Sequence, residues 1–499
     1  MKVQNNSINS LILFALILFS TQFLTNCKDP EPIAPGVLAF DRDSVKFDSI
    51  FTTLPSPTQR LMIFNTTNHP VIINKISFQN GSASEFILIF DGDTNQVISN
   101  YELAAGDSVW ALITLKPQKS FPEKEKIISD DLVLSSGNFE AKIPLEAKVK
   151  DAYFLRDAEA TKDTTFARDK PIVIDGYFYV RQRVKLTIDP GAEIYFTSRR
   201  REIENDNDHL KNSTLVSCIL VDGTLNAENF NQEKVLFSSY RFGENYNETA
   251  GQWFGIIFLN ESKGNIIENA LIKNATIGIR VDSIGLEVGN PKLSLTNVEI
   301  RNMEYHGLLG LGFDTGQNPT NNNKYSIVAK NVLITNCNQG YAAAFLYGGS
   351  YKLINCTFAN FKNNFNGKNP SVGVTNYYKK SENEYIPFPL RFESYNNIFW
   401  GNDEEELEVS ILENTTPEIA ISYNLIKDKK ELFKGNQNIL NEDPKFMDIG
   451  KPDYTLCKES PARDKGLDTL GIKFIPDLAG NVRSNIDNSM DIGCYEFKP

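Results

Sequence analysis

The sequence predicts an all-β protein, a right-handed parallel β-helix preceded by a β-sandwich. Three observations predict it. A six-residue pattern, Asn-x-x-apolar-x-Asn, recurs five times between residues 269 and 402. Short alternating strands separated by turn signals fill residues 38–150. Asn is abundant while His (3) and Met (5) are scarce among the 499 residues, a balance that suits turns and strands over helical bundles.

The repeat carries most of the weight. Its five copies begin at Asn269, Asn297, Asn331, Asn355 and Asn397, at the uneven spacing expected of coils with loops of different length. Side chains alternate along a strand, so the first and third positions after each opening Asn share a face. The first positions are Ala270, Val298, Val332, Cys356 and Ile398, and the third are Ile272, Ile300, Ile334, Phe358 and Trp400. All are apolar, and both columns are expected to stack inward. The closing column, Asn274, Asn302, Asn336, Asn360 and Asn402, is expected to form an amide ladder at a bend, because Asn tolerates left-handed backbone and its amide reaches its equivalent one rung away. Residues 151–440 then hold roughly ten coils, a stack about 50 Å long. Residues 365–390 read as a long loop leaving one coil, and 441–499 as a closing segment that caps the open end.

Residues 38–150 contain segments such as Gln59–Asn65, Val71–Ile76, Ser108–Ile113 and Ala141–Leu145, with turn signals at Asn80-Gly81, Asp91-Gly92 and Ala105-Gly106-Asp107. Roughly seven strands in about 110 residues suit an immunoglobulin-like β-sandwich. Asn65-Thr66-Thr67-Asn68 and Leu103-Ala104-Ala105-Gly106-Asp107-Ser108 resemble segments of the Ig-like modules at the base of bacterial surface proteins, which implies a spacer.

Residues 1–26 read as a signal peptide. Lys2 precedes an apolar run from Leu11 to Leu24, about 21 Å if helical and so shorter than a ~30 Å hydrocarbon core. Leu24-Thr25-Asn26-Cys27 resembles a bacterial lipobox, which implies lipidation at Cys27 and anchoring to outer-membrane lipid. Residues 27–37, with Lys28-Asp29-Pro30-Glu31-Pro32, resemble the tether of Bacteroidetes lipoproteins displayed on the cell surface. The other five cysteines, Cys218, Cys337, Cys356, Cys457 and Cys494, form neither a disulfide framework nor a zinc motif. Core thiols are the plainer reading, with a Cys457–Cys494 bridge as the alternative.

Asp453-Tyr454-Thr455-Leu456, Ser460-Pro461-Ala462-Arg463-Asp464-Lys465-Gly466, Asp477-Leu478-Ala479-Gly480-Asn481-Val482-Arg483 and Asp491-Ile492-Gly493-Cys494-Tyr495-Glu496 follow in order. They resemble the ending of exported β-helix repeat proteins of Bacteroidetes, in the pectin-lyase-like superfamily. Gly251-Gln252-Trp253-Phe254-Gly255 is similar to that family's Trp-bearing strand. The resemblance spans residues 151–499 and implies a polysaccharide partner.

The net charge of −12 and the lack of a basic stripe argue against nucleic acid. A calcium-dependent lyase needs converging acidic oxygens. The acidic runs Asp403-Glu404-Glu405-Glu406 with Glu408, and Glu202 to Asp208, lack a calcium-loop spacing and read more plainly as solvated loops. The polygalacturonase set is not matched, since Tyr305 precedes His306-Gly307 and Asp130-Asp131 lies in the sandwich. None of His69, His209 and His306 sits in a nucleophile elbow. Candidate glycan-binding residues are Arg280 and Arg301, which could share a face, with Lys330, Tyr341 and Tyr347. A sugar-stacking platform of Tyr341, Phe345, Tyr347 and Tyr351 is weighed against packing between coils. The sequence therefore predicts a surface lipoprotein that binds or presents extracellular polysaccharide with no metal, cofactor or recognisable catalytic set. A calcium-dependent polysaccharide lyase and a rod-like adhesin are the alternatives.

Overall fold

The computed structural model describes residues 38–498 apart from 53, 55, 118–124, 199–200, 203–213, 216, 230–232, 244–245, 285–289, 314–324, 362–369, 469–474 and 484–489. The signal peptide, Cys27 and the tether lie outside the described residues. The chain forms two compact units, one ending at Val149 and the other running from Lys150. Among the described residues, strands dominate and the helical element is a single short turn, Gly81–Ala83.

The first unit packs a four-stranded sheet (Leu38–Phe40, Gln59–Asn65, Ser108–Leu115, Phe86–Phe90) on a five-stranded one (Val45–Phe51, Phe139–Lys150, Glu125–Ser136, Val71–Phe78, Val97–Leu103). Alternation builds the core. Leu61 and Ile63 point in while Arg60 and Met62 point out, and Glu125–Ser136 alternates buried and accessible residues in the same way. Residues 65–68 and 103–108, two segments noted in the sequence, are stitched together by one side chain. Asn65 Nδ2 donates to the carbonyls of Leu103 (3.1 Å) and Ala104 (2.9 Å), while its Oδ1 accepts the Thr67 N–H at 3.0 Å.

The second unit is a parallel β-helix with three faces. Face 1 runs from the second half of Ile172–Val180 through Cys218–Val221, Gly255–Phe258, Ile279–Asp282, Leu308–Leu311, Ala343–Leu346 and Val372–Thr375 to Leu407–Ser410. Face 2 includes Ile327–Lys330, Gly349–Ile354, Leu390–Tyr395 and Glu418–Ser422. Face 3 includes Leu333–Cys337, Thr357–Asn360, Ile398–Gly401 and Leu425–Ile426. About nine rungs make a stack of some 40 Å at ~4.8 Å each.

The inward column of face 3 pairs Ile272 with Ile300, Ile300 with Ile334, and Ile334 with Phe358, all fully buried. The next partner of Phe358 is Phe399, not Trp400, and their rings stack at 5.4 Å. Trp400 instead pairs with Ala359 and faces outward. The expected fifth copy is thus one residue out of register. Tyr395 is followed by two asparagines, and the left-handed one is Asn396 (φ 57°), matching Asn269, Asn297, Asn331 and Asn355 (φ 47–55°). A single left-handed residue between two extended segments turns the chain from face 2 to face 3. Side-chain amides then bond along the stack, Asn331 Nδ2 to Asn297 Oδ1 at 2.9 Å and Asn396 Nδ2 to Asn355 Oδ1 at 3.1 Å.

A second ladder follows face 3. Asn302 Nδ2 donates to Asn274 Oδ1 at 3.5 Å and Asn336 Nδ2 to Asn302 Oδ1 at 3.2 Å. Asn360 leaves this ladder and accepts the Cys337 N–H at 2.9 Å. Asn402 is exposed and donates to the Phe361 carbonyl, because Gly401, not Asn402, pairs with Asn360.

The described residues of 441–498 pack chiefly along a side of the stack. Face 3 ends on the strand Ile439–Leu440, paired with Leu425–Ile426, and Phe433 from the loop before it packs against the core with Leu440. The C-terminal segment turns back and covers the outside of face 3. Tyr454, Leu478 and Cys494 lie on Leu333 and Ala359, and Leu456, Ala462 and Ile492 lie on Ile398 and Leu425. Arg483, fully buried, reaches Glu496 Oε1 (2.9 Å), Asn331 Oδ1 (2.7 Å) and the Gly493 carbonyl (3.0 Å). Burial pushes the Glu496 carboxyl up, to about 8, against the opposing pull of Arg483. The Asp-Ile-Gly-x-Tyr-Glu ending now has a physical account. Asp491 accepts the N–H groups of Asp464 (2.8 Å) and Phe497 (2.6 Å). Gly493 has φ 101°, and a Cβ there would meet Ile398 at 2.7 Å. All five described cysteines are free thiols, Cys457 and Cys494 included.

The register has a direct test. Phe399→Ala is expected to cost about 3–5 kcal/mol as a core truncation, and Trp400→Ala less than half of that. Denaturant unfolding of the two variants measures both values, and equal losses would contradict the register.

Candidate functional site

The outer surface of face 1 gathers three of the five predicted glycan-binding residues. One outward column runs Arg280, Leu309, Ala344, Gly373, Glu408 in successive rungs. Arg280 is held flat by Asp282, two residues along the same strand, through Nε (2.7 Å) and Nη2 (3.1 Å). The middle of the column is small, and Tyr341 lies across it. A Cβ on Gly373 would sit 2.8 Å from Tyr341 Cε1, so only glycine lets this ring rest on the sheet. The Tyr341 phenol hydrogen-bonds Glu408, and burial first and Glu408 second raise its pKa. Behind it, His306 stacks on Tyr341 at 5.8 Å, and its Nδ1 accepts the Tyr341 N–H at 3.1 Å. That bond leaves the neutral ring's proton on Nε2, and burial lowers the His306 pKa.

Tyr347 closes the far end of the same face-1 strand and belongs to an aromatic ridge. It stacks on Phe313 at 4.3 Å and meets Tyr378 edge-on at 5.5 Å, while Phe388 meets Phe313 at 5.8 Å. Phe313 and Tyr378 are 42% and 40% exposed. Tyr378 stands on a hairpin, Tyr377–Ser381 with Glu384–Pro387, that leaves the corner between faces 1 and 2. Residues 365–390 are therefore no plain loop: they hold a rung strand, Val372–Thr375, and this hairpin. The predicted platform divides, since Phe345 and Tyr351 point into the core and only Tyr341 and Tyr347 reach the surface. Phe313 and Tyr378 were not singled out in the sequence. Their signal is positional: Phe313, Tyr347 and Tyr378 each follow the end of a face-1 strand by one to three residues.

Arg301 and Lys330 lie elsewhere. The strand Leu293–Met303 bends at Asn297, which carries Arg301 onto face 3, beside Glu299 (3.5 Å) and Glu248 (3.6 Å). Arg280 and Arg301 therefore do not share a face. Lys330 is on face 2. The acidic run fans out: Glu404 pairs with Lys429 (2.5 Å), Glu405 with Lys430 (3.8 Å), and Glu406 is buried on Ser371 Oγ (2.6 Å). Among the described residues no three His, Cys, Asp or Glu side chains converge on one point. The run from Glu202 to Asp208, Arg199 to Arg201 and His209 have no described side chains.

Lys292 is a buried cation of the unit. Its ammonium donates to the carbonyls of Asn260 (3.1 Å) and Asp282 and to Ser283 Oγ (3.2 Å), which uses all three hydrogens to tie adjacent coils. Burial lowers its pKa to about 8. The unfolded chain therefore binds the extra proton between pH 8 and the usual lysine value near 10.5. Lys292 on its own is therefore expected to contribute a rise in stability with pH across that window, opposite in sign to the buried cysteines, whose thiols burial pushes up. Lys292→Met should flatten this rise in thermal melts, and an unchanged slope would contradict it.

No protein-family profile matches the chain, and no curated protein matches it. Among solved structures, the catalytic domain of GH87 alpha-1,3-glucanase in complex with nigerose aligns over 78% of this chain and 82% of its own, at 10% identity and TM-score 0.19. A protein of unknown function from Porphyromonas gingivalis aligns over 26% of this chain and 61% of its own, at 12% identity and TM-score 0.18. The YadV chaperone aligns over 23% of this chain at 10% identity and TM-score 0.17, and this chain spans about half (52%) of that chaperone's length. At these TM-scores the likenesses carry no argument.

Proposed function

We propose that the chain is a lipid-anchored surface protein of the outer membrane that binds extracellular polysaccharide along face 1 without turning it over. The observation that carries the binding reading is the exposed aromatic ridge, Phe313, Tyr347 and Tyr378, set beside Tyr341, whose ring lies on Gly373. Sugar rings present apolar C–H faces to flat aromatic surfaces and hydroxyls to planar polar groups. Arg280 with Asp282 at one end and Glu408 at the other supply such groups. They stand four rungs apart, about 19 Å, a span of several sugar units. The Cys27 motif and the tether support the anchor.

A glycan-binding panel tests the first part. Tyr347→Ala combined with Tyr378→Ala is expected to weaken the best ligand about tenfold or more, a loss of about 1.4 kcal/mol, with no change in melting temperature. Flat responses across a broad panel would overturn the binding reading in favour of a rod, and release of oligosaccharide products would overturn the non-catalytic one. Cys27→Ser should move the protein from the membrane to the soluble fraction and abolish fatty-acid labelling. Retention of both would remove the anchor.

A further inference from the structure

Face 2 carries a second concentration of binding chemistry, separate from the face-1 track. In the coil before it the outward residues are small, Ser294 and Thr296, and Glu268 lies one coil further back in the same column as Lys330. Three coils then bring together Tyr325, Lys330, Lys352, Arg391, Glu393 and Tyr395. Lys352 pairs in register with Glu393, and Lys330 with Ile354, which in turn pairs with Tyr395. Glu393 is the hub. It accepts the Tyr325 hydroxyl (2.9 Å) and the Arg391 Nε (2.7 Å), and Lys352 Nζ lies 3.0 Å from its other oxygen. Burial opposes ionisation of Glu393, but Lys352, Tyr325 and Arg391 together hold its carboxyl below the ordinary range.

The rings frame the cations. Lys352 Nζ lies 5.8 Å from the Tyr325 ring and 5.9 Å from the Tyr395 ring, and Arg391 lies 4.8 Å from the Tyr325 ring. Such cation–ring contacts fix long side chains that would otherwise sample many rotamers. Lys330 makes no ion pair with any described residue, and it stands about 8 Å from Lys352 between backbone positions. Glu418, half exposed at 3.6 Å from Arg391, is the other carboxylate in the group. Three cations thus face two carboxylates, and Lys330 is left over. In a chain with net charge −12 this is a local excess of positive charge. One wall is built by the C-terminal segment, whose Met490 and Ile475 cover Ile354 next to Tyr395.

We propose that this patch is a second binding site, for a sugar unit bearing an anionic group, a carboxylate or a sulfate. The Lys330 and Lys352 ammonium groups receive the anion, and the Tyr395 ring lies beside it for the sugar face. The site is independent of the face-1 track, where Arg280 is neutralised by Asp282. A polymer with both neutral and acidic units would engage the two faces by different chemistry.

The test uses the folded chain from residue 28 and three probes: a uronate oligosaccharide, a sulfated galactan oligosaccharide and a neutral xylan oligosaccharide. Binding of at least one acidic probe is expected to weaken by tenfold or more between 50 mM and 500 mM salt. Lys330→Gln, which removes no ion pair, should weaken it about fivefold, and Lys352→Gln should abolish it. Tyr347→Ala with Tyr378→Ala should leave it unchanged. The uronate and sulfate arms tell the two anions apart. No binding of either acidic probe, or equal binding by the Lys330→Gln and parent proteins, would overturn the proposal. Acidic binding that vanishes with the Tyr347 and Tyr378 changes would place the ligand on face 1 and also overturn it. Failure of the neutral probe alone bears on the face-1 reading and not on this site.

Discussion

The β-helix depends on one recurring backbone event, a lone asparagine in left-handed conformation between face 2 and face 3. Each such residue turns the chain within a single step, and at two of the corners its amide bonds the equivalent amide of the preceding coil, Asn331 to Asn297 and Asn396 to Asn355. Left-handed backbone is costly for most residues, and asparagine tolerates it because its short amide finds partners close by, backbone carbonyls for Asn269 and Asn355 and a neighbouring amide for Asn331 and Asn396. Fixing the corner also fixes the register of both flanking strands. The Ile272, Ile300, Ile334 and Phe358 column is a consequence of that corner as much as a cause of the core.

Much of this was legible because the corner writes itself into the sequence. The opening Asn, the two apolar positions and the closing Asn are local, so four of the five copies could be aligned by eye. The fifth slipped because Asn396 and Asn397 are both asparagine, and no local rule says which takes positive φ. Its true inward residue, Phe399, is as apolar as its neighbour Trp400, so hydrophobicity could not arbitrate. The fold-back of residues 441–498 was hidden for another reason. A segment that caps an end and one that covers a side have the same irregular, polar appearance, and only long-range pairs such as Arg483 with Asn331 separate them.

The surface chemistry was less legible. Arg280 and Arg301 look adjacent in coil order, but the bend at Asn297 sends them to different faces. Tyr341 and Tyr347 were readable as candidates, yet the residues that complete their surroundings, Phe313, Tyr378, Gly373 and Glu408, come from other rungs. A solenoid converts sequence distances of tens of residues into a single ~4.8 Å step. Outward columns assemble from positions with no pattern of their own, because the core constrains the inward residues and leaves the others open.

The fold-back also orders the events of folding. The last residues of the chain rest on Leu333, Ala359, Ile398 and Leu425, so they can dock only after those coils are stacked. A chain delivered N-terminus first across a membrane would show a bare greasy flank until its final stretch arrived. Truncation near residue 440 would leave that flank uncovered for good, in a molecule whose rungs could otherwise be complete. The tail is thus an apolar cover built into the polypeptide, and its loss would bare Leu333, Ala359, Ile398 and Leu425 to other chains.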